Sequence, residues 1–368
     1  MPNESGDKPV VVVTGASGLI GTRLIDKISN SYSCVALDVK PMPAGSQASW
    51  IECDLTNDSS TVGALNKIKD RYGDRIASVV HLAAYYDFSG EPSPLYDKLT
   101  VAGTERLLKA LRDFHVEQFA FSSSLLVMKD ASEGETLQES SPVEAEWDYP
   151  HSKLKAEKVI KETRGNIPCV ILRIAGVYDN HCNSIPIAQQ IKRIYEKDFE
   201  SYFFPGNPNH GQAFVHLDDL VDCLAKTIEH RGSLDKHELF LIAEPEIMSY
   251  GELQDQIGML IHGKEWPTIR IPKTVAKAGA WVKEKVAGEE ETFIKPWMVD
   301  LADAHYPASI DRARQKLNWE PAHQLKTALR NMIHFLLEDP RAWYEENNLP
   351  APEHLSESDS SPGGGTGS

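Results

Sequence analysis

Tyr149 and Lys153 stand four residues apart at the start of a stretch that continues through Leu154, Glu157, Lys158 and Ile160, so a helix there projects both side chains from one face. Of the chain's twelve tyrosines, Tyr149 alone has a lysine at this offset. A phenol has a reference pKa of about 10, too high for efficient proton transfer at neutral pH unless nearby positive charge favours the phenolate. The Lys153 ammonium is the charge this reading invokes. Upstream, residues 119–121 read as the end of a strand that opens into Ser122, Ser123 and Ser124. From there the Ser124 hydroxyl can hold a substrate oxygen opposite the tyrosine. The set predicts acid–base chemistry at an oxygen-bearing carbon, with Ser124, Tyr149 and Lys153 as catalytic residues.

Such chemistry needs a hydride carrier, and the N-terminus offers a place for one. An apolar strand over Val10–Thr14 runs into Gly15, Ala16, Ser17, Gly18, Leu19, Ile20 and Gly21, followed by an amphipathic helix. Gly15 permits a tight turn, Gly18 lets the backbone approach a pyrophosphate, and Gly21 lets helix and strand close together. The phosphates then rest on a helix N-terminus, where N–H groups and the dipole favour an anion. Seventeen residues past Gly21, the next strand ends at Asp38. A carboxylate there accepts both adenosine ribose hydroxyls and repels a 2′-phosphate, which favours NAD over NADP.

The elements that must hold these residues follow from alternation along residues 10–174. Strands are expected over residues 10–14, 34–37, 78–83, 118–122 and 169–174. Between them, Ile20, Leu24, Ile25 and Ile28 line one helical face, and Leu107, Leu108, Leu111 and Phe114 another. This is the pattern of an α/β Rossmann-type doubly wound parallel sheet. Beyond Gly176 the alternation loosens. Two amphipathic helices recur, one carrying Leu217, Leu220, Val221, Leu224 and Ile228, the other Leu325, Ala328, Leu329, Met332, Ile333 and Leu336. They predict a smaller, mostly helical C-terminal substrate lobe. The expected organisation is a polar tail over 1–9 and an NAD-binding domain over 10–180. A lobe over 181–355 returns a strand and helix to the core, and a disordered tail of Ser, Gly, Pro and acid covers 356–368.

The formal net charge of −16 disfavours nucleic acid and anionic membranes as partners. A small-molecule substrate fits better. No apolar run reaches the roughly 20 residues of a membrane span. The N-terminus lacks a signal-peptide layout, and five cysteines without metal-binding spacing suit a reducing, cytoplasmic setting. No metal is expected: His216 with Asp218 and Asp219 reads as a helix entry, where acids meet N–H groups and the dipole. His81 reads as a structural histidine. Residues 271–286 read as a lid or lobe helix over the substrate cleft.

Together the segments VVVTGASGLIG (11–21), CDL (53–55), HLAA (81–84), FAFSSS (119–124), YPHSK (149–153), LRIAGVY (172–178) and FVHLDDL (214–220) closely resemble the extended short-chain dehydrogenase/reductase family, the NAD-dependent epimerase/dehydratase group. The resemblance implies NAD contacts at Gly15, Ser17, Gly18, Leu19, Ile20, Gly21, Asp38, Asp54, Leu55, Leu82, Ala83, Ala84, Ser122, Tyr149 and Lys153, with Asp54 at the adenine. Dimerisation through a helix pair, common in the family, would give a homodimer. Departures bear on the substrate. Leu125 and Leu126 stand where sugar-nucleotide dehydratases carry an Asp-Glu pair, Gly176 where epimerases carry an asparagine, and Gln212 where an arginine often stands. Thr100 replaces a common asparagine. These changes weaken nucleotide-sugar readings, and Tyr85, Tyr86, Asp87 and Phe88 suggest a less charged pocket, like that of relatives acting on hydroxysteroids or dihydroflavonols. Tyr85, Tyr86, Ser124, Gly176 and Tyr178 are the expected substrate contacts. The favoured activity is NAD-dependent hydride transfer at a secondary alcohol or ketone carbon. Sugar-nucleotide epimerisation by the same residues is the alternative, and a non-catalytic NAD(H)-sensing module the second.

Overall fold

The computed structural model describes residues 8–87, 91–274, 276, 302–352 and 355. Seven parallel strands form its central sheet: β1 (Val10–Thr14), β2 (Ser33–Asp38), β3 (Ser49–Glu52), β4 (Ser78–His81), β5 (Phe119–Ser124), β6 (Cys169–Ile174) and β7 (His237–Ile242). Their order across the sheet is β3-β2-β1-β4-β5-β6-β7. The order reverses between β1 and β4, so the chain ends leaving these two strands diverge and open a crevice at their carboxyl ends, where open α/β sheets bind ligands. Both faces of the sheet are covered. In β1, Val11 and Val13 join one core and Val10 and Val12 the other, the period-2 alternation of a strand buried on both sides.

The first core packs the helices α1 (Leu19–Ile28) and α6 (Leu217–Glu229) against the sheet. The second packs α2 (Asp58–Tyr72), α3 (Ala102–Ala110) and α4 (Asp148–Thr163). On α1 the expected stripe is buried at Leu24, Ile25 and Ile28, and on α3 at Leu107 and Leu108. A third core forms the C-terminal lobe from α5 (Ile185–Tyr195), α7 (Tyr250–His262), α9 (Leu325–Glu338) and α10 (Pro340–Glu346). Between α7 and α9 lies the short helix α8 (Asp311–Leu317), packed beside β7. All six apolar residues expected on the α9 face are buried.

Two strands of the central sheet were not located in the sequence, although a strand returning from the lobe was expected. β3 is a four-residue edge strand with only Ile51 buried, too short and too polar to declare itself. β7 begins His237-Glu238, which reads as a loop. Glu238 is nevertheless fully buried, because Arg312 and Lys316 ion-pair with its carboxylate. The lobe thus returns both β7 and α6 to the sheet domain, α6 lying against α1. The lid helix expected over 271–286 falls outside the described residues beyond 276, as do Phe88 and the 356–368 tail. All five cysteines are buried and free.

Gly21 shows how tightly α1 sits on β1. A Cβ there would lie 2.6 Å from the carbonyl oxygens of both Gly15 and Ala16, backbone atoms that cannot yield without moving the turn. Gly21→Ala is therefore expected to cost about 1–3 kcal/mol of stability and to weaken NAD binding. Thermal denaturation with and without NAD measures both, and a variant with unaltered melting and binding would refute the packing argument.

Candidate active site

The glycine turn leaves β1 in a left-handed residue, Gly15 at φ +66°, where a Cβ would press to 2.8 Å from the Ala83 nitrogen. Only glycine allows β1 and the chain after β4 to approach this closely. Gly18 N-caps α1, and Gly18 and Leu19 are exposed. The first-turn N–H groups of a helix have no intrahelical partner, and the first turn of α1 carries no acidic residue, so no side chain competes with an incoming anion. Asp38 closes the other side. Its carboxylate accepts the Ser17 N–H at 3.0 Å and the Lys40 N–H at 3.1 Å, which places it over the turn at the end of β2. These residues fit a dinucleotide, with its pyrophosphate on the α1 terminus and a ribose at Asp38. Beyond β3, the Asp54 carboxylate accepts the N–H and hydroxyl of Thr56 at 2.8 and 2.7 Å, and Leu55 is buried.

Leu82, Ala83 and Ala84 follow β4 on the opposite wall of the crevice. Leu82 donates its N–H to the Thr14 carbonyl and Ala83 to the Thr14 hydroxyl. His81 lies beneath them, fully buried between Thr14 Oγ1 at 2.6 Å and Thr104 Oγ1 at 2.9 Å. Thr104 donates to the Thr100 carbonyl, so it accepts from His81 Nε2–H, and Nδ1 accepts from Thr14. Burial, reinforced by the Lys153 charge, holds this neutral ring at about 3. Its role is structural. Thr100, in place of an asparagine, is itself buried and accepts the Tyr85 N–H at 3.0 Å, which fixes the loop that carries Tyr85 and Tyr86.

β5 and α4 bring the catalytic candidates together. Lys153, 3% exposed, donates from Nζ to the Ser122 carbonyl at 2.7 Å, and the Ser122 hydroxyl donates to the His81 carbonyl. The Ser124 hydroxyl lies near Tyr149 and accepts the Leu126 N–H. Tyr86, with a residue exposure of 52%, stands edge-on to Tyr149 with ring centroids 5.0 Å apart. The electrostatics differ from the sequence expectation. Burial raises Tyr149 to about 12, opposed by the nearby Ser124 hydroxyl. Burial lowers Lys153 to about 7, opposed by the Glu157 carboxylate. In the protein alone, therefore, Lys153 is hydrogen-bonded to the strand backbone, and burial outweighs its influence on the phenol.

Two expected substrate contacts are already engaged within the protein. Tyr178 is fully buried and donates its hydroxyl to Glu244 at 2.5 Å, a packing role in the lobe. Gly176 is exposed, but its open side faces Phe214, whose ring a Cβ would meet at 2.8 Å. Tyr85 is half-buried, edge-on to Tyr96, with its hydroxyl donated to Asp87. His216, Asp218 and His323 come near enough to suggest a cation site. The two imidazoles are stacked at 4.0 Å and 15°, however, so no single ion can lie in both ring planes, and His216 Nδ1 accepts the Asp218 N–H as the cap of α6.

Sequence reasoning missed Ser123, Glu157 and Arg173. Ser123 Oγ donates to Glu157, which also pairs with Arg173 in a bidentate fork. The i, i+4, i+8 spacing of Tyr149, Lys153 and Glu157 was the available signal.

Residues 11–243 match the NAD dependent epimerase/dehydratase family. The chain belongs to that family, and NAD is its cofactor. It is 24% identical over 358 residues to a decarboxylating sterol-4-alpha-carboxylate 3-dehydrogenase of Candida albicans, covering 89% of this chain and 98% of that protein. It is 24% identical over 346 residues to an uncharacterised UDP-glucose epimerase of Bacillus subtilis, covering 89% and 97%. Its fold is similar to those of MoeE5 in complex with UDP-glucose and NAD (TM-score 0.65, 23% identity, 90% of this chain and 99% of that one) and UDP-glucuronic acid 4-epimerase from Bacillus cereus (TM-score 0.66, 18%, 89% and 99%). Among the described residues no helix is long and apolar enough to cross a membrane.

Two measurements test the site. Asp38→Ala is expected to weaken NAD binding about tenfold by removing the ribose acceptor and to narrow the preference over NADP, read by titration of both nucleotides. An unchanged NAD/NADP ratio would remove Asp38 from the ribose site. For His81, the folded value lies below the ordinary 6.5, so its contribution to stability is complete above 6.5 and declines as pH falls from there toward 3. His81→Gln is expected to melt lower than the parent at pH 7.5, with the gap narrowing by pH 5. A gap that stays constant would contradict the linkage.

Proposed function

We propose that this chain is an NAD-dependent oxidoreductase that transfers hydride at a secondary alcohol or ketone carbon held on a largely apolar framework. The observation that carries this reading is the meeting of Ser124 and Tyr149 beside the buried Lys153, at the carboxyl end of β5 and with β4 alone between it and the strand of the glycine turn. Ser124 holds the substrate oxygen, and Tyr149 exchanges a proton with it. Lys153, anchored on Ser122, orients the tyrosine and reaches the nicotinamide ribose. When bound, NAD supplies the hydride acceptor and a positive ring, the charge that would draw the Tyr149 phenol down from about 12 into a useful range.

The apolar framework is supported by what surrounds the pair. Leu125 turns into the core, and Leu126 is half-buried beside Ser124 where an acid would be needed for elimination. Tyr86 offers an exposed aromatic face next to Tyr149, and Phe214 occupies the space beside Gly176. The similarity to a sterol carboxylate dehydrogenase along nearly its whole length agrees with this lining. Epimerisation is the second reading, supported by the likeness to UDP-sugar epimerases, because the same three side chains serve a reversible oxidation.

Tyr149→Phe is expected to reduce turnover at least about 100-fold while NAD affinity changes less than about twofold, measured by NADH absorbance on a panel of ring and chain secondary alcohols and by cofactor titration. Turnover that survives the substitution would refute the proton-exchange role. Steady NADH release from the panel excludes epimerisation as the main activity, whereas sugar-nucleotide interconversion without net NADH formation would replace the oxidoreductase reading.

A further inference from the structure

The three serines at the end of β5 each bind something different. Ser122 presents its carbonyl to Lys153, Ser124 meets Tyr149, and Ser123 donates its hydroxyl at 2.5 Å to Glu157 Oε1. Glu157 lies one helical turn beyond Lys153 and two beyond Tyr149, on the same face of α4. Its carboxylate is forked by Arg173 of β6, with Nε at 3.1 Å from Oε1 and Nη2 at 2.8 Å from Oε2. Both partners are enclosed, with side-chain exposures of 6% for Arg173 and 11% for Glu157. Two adjacent strands therefore grip one side chain of the helix that carries the catalytic candidates.

An ion pair taken this far out of water is retained only when its geometry is well satisfied, and breaking one partner is costly. As mere cement between α4 and the sheet, it would be replaceable by apolar contacts such as those of Ala156 and Ile160, buried on the same helix. What apolar contacts lack is direction: sliding α4 along β5 costs them little, whereas a bidentate fork with a third donor fixes the axial position.

We propose that Glu157, gripped by Arg173 and Ser123, is a positioning residue that sets the register of α4 against β5, placing Tyr149 at Ser124 and Lys153 at Ser122, with its own carboxylate one helical turn from Lys153. This rests on the catalytic reading of Tyr149 and Lys153. The groups facing Lys153 are Glu157 and Tyr149 on its own helix, His81 from β4, and the Ser122 carbonyl and Phe121 ring from β5. Arg173 of β6 reaches it through Glu157. His81 is neutral, and Glu157 is the carboxylate that raises Lys153 against the effect of burial. Removing its charge must therefore move Lys153 deprotonation to lower pH.

The test needs no substrate. In full-length protein labelled with 15N-lysine, the Lys153 Nζ resonance, assigned by its loss in Lys153→Arg, is titrated by NMR in the parent, Glu157→Gln and Glu157→Asp. Glu157→Gln is expected to lower the midpoint by about one pH unit, and Glu157→Asp, which keeps the charge but withdraws it by a methylene, by a smaller amount. Should Glu157→Gln fail to fold, Glu157→Asp decides alone. With a turned-over alcohol in hand, Glu157→Gln should lower kcat about tenfold, leave KM for NAD unchanged and move the alkaline limb of the pH profile the same way. A folded variant whose Lys153 titration matches the parent, with melting temperature alone reduced, would overturn the proposal and leave Glu157 a structural residue. An alcohol panel without turnover would instead count against the oxidoreductase reading and leave the titration result standing.

Discussion

Lys153 is an amine that carries charge only against the cost of a place where water cannot reach it. The structure tolerates it because β5 ends in a free carbonyl, that of Ser122, 2.7 Å from Nζ. A buried ammonium without acceptors would shed its proton or pull its helix out of the core. Its position is therefore set by the strand end, and α4 follows. The strand end is set in turn by β4, since Ser122 Oγ donates to the His81 carbonyl, and by the neutral His81 ring strung between Thr14 and Thr104. From β1 to α4, one run of short hydrogen bonds joins the glycine turn to Lys153.

That run couples the candidate cofactor and catalytic halves of the site. Thr14 accepts from Ala83 while it donates to His81, so the wall beside the dinucleotide and the floor beneath Lys153 share one hydroxyl. Gly15 brings β1 against Ala83, within reach of that hydroxyl, and any side chain at Gly15 would break the approach. Thr100 extends the same scaffold outward by holding Tyr85. The substrate rim thus begins where the buried network stops. Inside, every polar atom on this path is matched. Outside, Tyr86 and Leu126 offer apolar surface with few hydrogen-bonding demands, which suits a substrate recognised by shape.

The phenol and the lysine oppose one another in a way their spacing did not reveal. Four residues apart on a helix, they read as a base and its activating charge. In the folded chain both are penalised by burial, Tyr149 upward and Lys153 downward. The activating charge must then come from elsewhere, and the nicotinamide ring is suited to supply it. Proton exchange would then become efficient when the cofactor is in place, a physical coupling between binding and chemistry.

The sequence by itself determined the sheet domain and the positions of the glycine turn, Asp38, Ser124, Tyr149 and Lys153, because each is a local signal: a strand running into glycines, a carboxylate at a strand end, a four-residue helical spacing. Periodicity likewise located the buried faces of α1, α6 and α9. The tertiary structure alone decided the rest. It located the returning strand at β7, whose buried glutamate only distant Arg312 and Lys316 make tolerable. It withdrew Tyr178 from the substrate by pairing it with Glu244, and it stacked His216 on His323 in a geometry unfit for a shared ion. It also joined Ser123, Glu157 and Arg173 from three elements. Pairings between residues far apart in the chain leave no period and no spacing to read, since they exist only once the sheet has brought its strand ends together.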